Sequence, residues 1–95
     1  IEIVPPPVVL LNRAIAISKV SSAFEALAEL EKIKDDPAME SYHLFYSTRA
    51  ELYIQLNDFR KASEALNKAI QLSPLQAEKD LLQKKLNLCI ENSLD

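Results

Sequence analysis

Apolar residues return along most of this chain every three or four positions, the spacing of a helix that buries one face. The clearest stretch runs from Tyr42 to Pro74. There Tyr46, Ala50 and Tyr53 share a face with Leu52, Leu56 and Phe59 alongside, and after Asn57-Asp58 a second stripe follows: Ala62, Ala65, Leu66, Ala69 and Ile70. Upstream, Val9, Leu10, Ala14 and Ile17, widened by Leu11 and Ile15, predict a first helix from about Pro6 to Lys19. Ala23, Ala26, Leu27, Leu30 and Ile33 predict a second, from Ser22 to about Lys34. A third is expected from Pro37 to Leu56, a fourth from Phe59 to Leu72, and a fifth to about Glu91 that buries Leu75, Leu82, Leu86, Cys89 and Ile90.

The punctuation agrees with these boundaries. Ser22 and Glu25 have capping-box spacing, in which each side chain satisfies the other's backbone amide. Asp36-Pro37 offers an N-cap followed by proline at the first helical position, and Ser73-Pro74-Leu75-Gln76 repeats the box. The chain contains no glycine, so Asn57 is the residue expected to take the left-handed turn between the third and fourth helices. Pro5, Pro6 and Pro7 favour an extended lead-in over residues 1–7.

Composition narrows the class. Alanine and leucine dominate over β-branched residues, which points to an all-α protein with tight connections, and 95 residues make one small domain. The net charge of −3 is spread along the chain without a basic stripe, so direct nucleic-acid binding by this segment is not expected. No apolar run approaches the roughly 18 residues of a membrane span, and the start lacks the basic leader of a signal peptide. The lone Cys89 reads as core packing in a cytoplasmic setting. A start at Ile1 rather than Met predicts a fragment of a longer protein.

The Tyr42–Pro74 stretch resembles a tetratricopeptide repeat, a helix-turn-helix unit of about 34 residues. Tyr46, Ala50, Tyr53, Ala62, Ala69 and Pro74 fall on that pattern's aromatic, small, tyrosine, alanine, alanine and proline positions; Arg49 and Leu66 depart from it. Arg13-Ala14 and Glu25-Ala26-Leu27 echo Arg49-Ala50 and Glu64-Ala65-Leu66, with separations of 12 and 15 residues between the motifs, one helical turn short in the first unit. The expected fold is therefore all-α: a tetratricopeptide-like right-handed superhelix of about five antiparallel helices. A shortened repeat over 8–34, a full repeat over 37–72 and a capping helix over 74–91 make it up.

Polar groups in apolar company are the candidates for function. Arg13 and Arg49 interrupt apolar faces; each either pairs with a carboxylate such as Glu25, Glu29 or Glu51 and pins two helices, or lines a groove that holds a partner's carboxylate. Tyr42 and His43 open the third helix beside Phe45 and Tyr46, an aromatic cluster near one end of that groove. The candidate partner-binding residues are Arg13, Tyr42, His43, Tyr46, Arg49 and Tyr53. No metal-ligand spacing, phosphate loop or catalytic triad is legible, so neither a cofactor nor an enzyme is expected.

Three strings carry a further resemblance: Leu11-Asn12-Arg13-Ala14 after the proline-valine stretch, Tyr42-His43-Leu44, and Arg49-Ala50-Glu51-Leu52. Together with the Leu-rich final helix they are similar to the C-terminal tetratricopeptide-like extension of bacterial extracytoplasmic-function (ECF) sigma factors. Asn57-Asp58, where that group commonly has a glycine turn, and Phe45-Tyr46-Ser47-Thr48 depart from it. The resemblance implies a domain that modulates transcription initiation through contacts with the sigma core regions, RNA polymerase or a regulator. Alternatives are a stand-alone adaptor that binds a peptide segment, and a helical appendage of an enzyme. An exposed apolar first helix would also allow a homodimer in isolation.

Overall fold

The computed structural model describes residues 7–93, which form an all-α, helical-repeat-like arrangement. Helix α1 spans Pro7–Val20, α2 Ala23–Glu31, the single turn α3 Pro37–Glu40, α4 His43–Gln55, α5 Phe59–Leu72 and α6 Gln76–Asn92. Each long helix packs on the next in sequence, and α2 also packs on α4, so the molecule is a slab of 50 × 30 × 19 Å. Of the extended lead-in expected over residues 1–7, residues 1–6 lie outside the described residues, as does the side chain of Leu10, and Pro7 instead opens α1.

Helix α4 is shared by two apolar cores. Its Phe45 and Leu52 join Leu11, Ala14, Ala26, Leu30 and Met39 on one side. Its Ala50 joins Ala62, Leu66, Ala69, Leu82, Leu86 and Cys89 on the other. Tyr46 touches both cores. Alanines at the closest approaches explain how the helices come together: Ala14, Ala26, Ala50, Ala62 and Ala69 are all completely buried. Bulkier side chains there would force the axes apart.

Most of the punctuation is in place. The Ser22 hydroxyl accepts from the Glu25 amide at 3.1 Å, and the Asp58 carboxylate accepts from the Lys61 amide at 3.3 Å. Asn57 has φ 61°, and around it the Asn57 N–H donates to the Ile54 carbonyl (3.0 Å) and the Asp58 N–H to the Tyr53 carbonyl (2.9 Å). These two bonds are those of a Schellman motif, with asparagine supplying the left-handed residue.

Three boundaries differ from expectation. The helix expected from Pro37 to Leu56 is broken at Ser41-Tyr42: Tyr42 is extended (φ −98°, ψ 106°), and α4 starts afresh at His43. The break lets Met39 and Phe45, both 1% exposed, enter one core from different directions. The second helix gives way after Glu31 to turns closed by bonds from Ile33 to Leu30 and from Asp36 to Ile33, which still bury Ile33 ahead of Pro37. Finally, Ser73 is the buried C-cap of α5, its N–H bound to the Ala69 carbonyl, so it does not cap the following helix. Leu75 takes that place without a side-chain cap, stays extended and is 62% exposed; Ile90 is likewise exposed.

Candidate functional site

Tyr46, Arg49 and Tyr53 stand at i, i+3 and i+7 on α4, a spacing that puts all three on one stripe of the helix. With the opposite flank of α4 committed to Phe45, Ala50 and Leu52 in the cores, this stripe is left half-buried and faces a groove. Glu31 at the end of α2 closes one wall, and Lys61, Glu64, Ala65 and Lys68 of α5 close the other, around a space of ≈ 390 Å³.

The arginine is engaged in the wall through one arm of its guanidinium. Its Nη2 lies 3.0 Å from Glu31 Oε1 and donates more weakly, at 3.4 Å, to the Tyr53 hydroxyl. Its guanidinium carbon sits 5.9 Å from the centre of the Phe45 ring and 5.8 Å from that of Tyr53, within cation–π range. Glu31 also pairs with Lys34 at 2.8 Å. The Lys34 hydrogen bond, helped by the Arg49 charge and opposed by slight desolvation, holds the Glu31 carboxyl below the usual carboxylate range. The pairing pins α4 to α2 as expected for a structural arginine, although the carboxylate is Glu31 rather than Glu25, Glu29 or Glu51.

Two lysines lie over the two tyrosines. Lys61 Nζ is 5.8 Å from the centre of the Tyr53 ring, and Lys68 Nζ is 6.0 Å from that of Tyr46. Tyr46 donates its hydroxyl proton to the Glu40 carbonyl at 3.1 Å and meets Phe45 edge-on at 5.2 Å. Beyond Tyr53 and Lys61 the groove continues into a mainly apolar hollow of ≈ 350 Å³ lined by Phe24, Leu27 and Leu56, with Glu31 and Asp58 at its edge; Phe24 is 72% exposed.

The other sequence candidates lie elsewhere. His43 Nδ1 is 2.8 Å from Glu78 Oε1, a partly buried bond in which the ring donates and which latches the start of α4 to the first turn of α6. Tyr42 stands edge-on to His43 at 5.8 Å and packs against the first core. Arg13 is exposed on α1, makes no ion pair among the described residues and does not line the groove. Sequence reasoning missed Glu31, Lys61 and Lys68. The available signal was the matching interval: Lys61 and Lys68, like Tyr46 and Tyr53, are seven residues apart.

Among the described residues no group of three or more His, Cys, Asp or Glu could hold a metal ion, and no helix is long and apolar enough to cross a membrane. The groove presents cations, hydroxyls, carboxylates and aromatic faces. No protein-family model, curated protein or solved structure matches the chain.

Proposed function

We propose that this chain is a protein-interaction domain and, following the resemblance of Leu11-Asn12-Arg13-Ala14, Tyr42-His43-Leu44 and Arg49-Ala50-Glu51-Leu52, the regulatory C-terminal extension of an ECF sigma factor. The observation that carries the interaction reading is the groove itself, where Tyr46, Tyr53, Lys61 and Lys68 are held by α4 and α5 with their faces and charges accessible. Tyrosine is among the residue types that dominate protein recognition, and the neighbouring lysines add charge selectivity rather than anchoring area. In this reading the groove engages the sigma core or the polymerase and thereby tunes initiation. Removing residues 1–95 from the full-length factor should change promoter-dependent transcription in a reconstituted assay; unchanged output refutes the regulatory role.

A second reading is a stand-alone adaptor that binds a peptide segment in the same groove, where the rings of Tyr46 and Tyr53 stand beside lysines. It predicts that residues 1–95 bind their partner without any sigma regions attached. Binding that requires those regions in the same polypeptide would exclude it.

A further inference from the structure

The two lysine–tyrosine pairs share an interval. Tyr46 and Tyr53 are separated by seven residues of α4, and Lys68 and Lys61 by seven residues of α5 running the other way. Seven residues advance a helix by about 10.5 Å, so the groove carries two cation-plus-aromatic stations about that far apart. The stations differ in chemistry. The Tyr53 hydroxyl accepts from Arg49 and donates to no described residue, so its proton is available to an acceptor that the Lys61 ammonium beside the ring would also attract. At the other station the Tyr46 proton is used on the Glu40 carbonyl, which leaves Lys68 as the donor over an aromatic face.

The charge balance favours an anionic guest. Three cations, Arg49, Lys61 and Lys68, line the groove against two carboxylates, Glu31 and Glu64, and Glu31 is paired with Arg49 and with Lys34 from outside the lining. Asp58 is a loose partner for Lys61: its Oδ1 caps α5, and its Oδ2 lies 3.9 Å from Lys61 Nζ, at the outer limit of an ion pair. The lining of this groove thus carries one net positive charge in a chain of net charge −3.

The spacing selects the guest's conformation. A polyproline-type segment has three residues per turn and a rise of about 3.1 Å, so residues i and i+3 point the same way about 9.3 Å apart, within the flexible reach of two lysines. In a β-strand, i and i+3 face opposite sides, and the same-side intervals of about 6.7 and 13 Å miss the stations. The hollow lined by Phe24, Leu27 and Leu56 adjoins the Tyr53–Lys61 station, so an apolar anchor belongs on that side of the carboxylates.

We propose that the groove between α2, α4 and α5 receives an extended, polyproline-like protein segment carrying a large apolar residue followed by two carboxylate side chains three residues apart. The inference rests on the interaction-domain reading and names the chemistry of its partner. The first carboxylate is read by Lys61 and the Tyr53 hydroxyl, the second by Lys68, and Glu64 between them disfavours a third.

The test uses residues 1–95 and short fluorescein-labelled peptides of proline and serine with one phenylalanine followed by two glutamates, capped at both ends and read by fluorescence anisotropy. The peptide with glutamates three residues apart should bind about tenfold more tightly than versions with spacings of two or four, or with both glutamates changed to glutamine. Tyr53→Phe, which keeps the ring, and Lys61→Gln should each weaken binding by about tenfold, and Lys68→Gln by less, with circular dichroism unchanged. Equal binding at all spacings, affinity that follows peptide net charge alone, absence of binding, or indifference to Tyr53→Phe and Lys61→Gln overturns the inference. A parallel arm mixes residues 1–95 with the sigma core and polymerase. Binding there without peptide binding removes only the acidic-segment inference, and absence of binding in both arms removes the interaction reading with it.

Discussion

Replacing Arg49 by alanine tests whether the odd residue of the repeat pattern is structural. Three contributions are lost. The pair with Glu31 is partly exposed, with 25% and 47% of the two side chains accessible, and such pairs contribute about 0.2–1 kcal/mol. The contacts over Phe45 and Tyr53 add about 0.5 kcal/mol each at this exposure. The half-buried stem loses two methylenes, about 1 kcal/mol after allowing for partial exposure. The sum is roughly 2–3 kcal/mol, which for a domain of this size lowers Tm by about 10 °C or more. Arg49→Met keeps the stem and should lose only about half as much, and Glu31→Gln less than about 1 kcal/mol. The assay is thermal unfolding followed by circular dichroism, with the Arg49→Ala, Glu31→Gln cycle repeated in high salt, where the coupling should fade for an accessible pair. An Arg49→Ala protein as stable as the parent would refute the structural assignment, and Arg49→Met as damaging as Arg49→Ala would refute the division between stem and charge.

Asn57→Ala should cost about 1 kcal/mol in chemical denaturation, because at φ 61° alanine keeps the β-carbon crowding but lacks the short polar side chain that lets asparagine adopt the left-handed region, whereas Asn57→Gly, which removes the β-carbon, should be neutral or stabilising. Glu31 has a folded pKa depressed below its ordinary 4.5, so its contribution is fully present above that value and is lost as pH falls through the lower folded value; Glu31→Gln should flatten that part of a Tm-against-pH curve. Burial, aided by the nearby Glu51 charge, pushes the Cys89 thiol above its ordinary 9.0. A thiol-specific reagent should therefore label it slowly until the protein is unfolded, and stability should decline as pH rises above 9.0, where the unfolded thiol ionises and the folded one resists.

Helix identity is legible in the sequence because periodicity, capping and turn chemistry agree locally. Asn57 is the clearest case: without glycine in the chain, only an Asn-Asp joint could supply the left-handed residue, and it does. The break at Ser41-Tyr42 is not legible, since an interrupted helix keeps an apolar period on each side of the interruption and only the tertiary direction of Met39 and Phe45 distinguishes it. The failed second capping box has a different cause. Ser73 can close α5 or open α6, and the five residues Ser73 to Ala77 read equally well either way until Ser73 is buried against α5.

The candidate site divides along the same line. Spacing along one helix is enough to put Tyr46, Arg49 and Tyr53 on a single stripe, but Lys61, Lys68 and Glu31 enter from helices whose register against α4 is set by alanine contacts no single stretch reveals. The echo between Arg13 and Arg49 shows what a sequence parallel does and does not carry. Ala14 and Ala50, the residues that follow them, are both completely buried. Arg49 nevertheless meets Glu31 because α2 lies against α4, while Arg13 is exposed with no described helix ahead of α1 to face it. Equivalent positions thus acquire different roles from their neighbours: an acidic residue on any helix that packed ahead of α1 would meet Arg13 as Glu31 meets Arg49. For the groove, the consequence is that its arginine is engaged in holding the wall, and recognition falls to the lysines and the Tyr53 hydroxyl that the repeat pattern left unassigned.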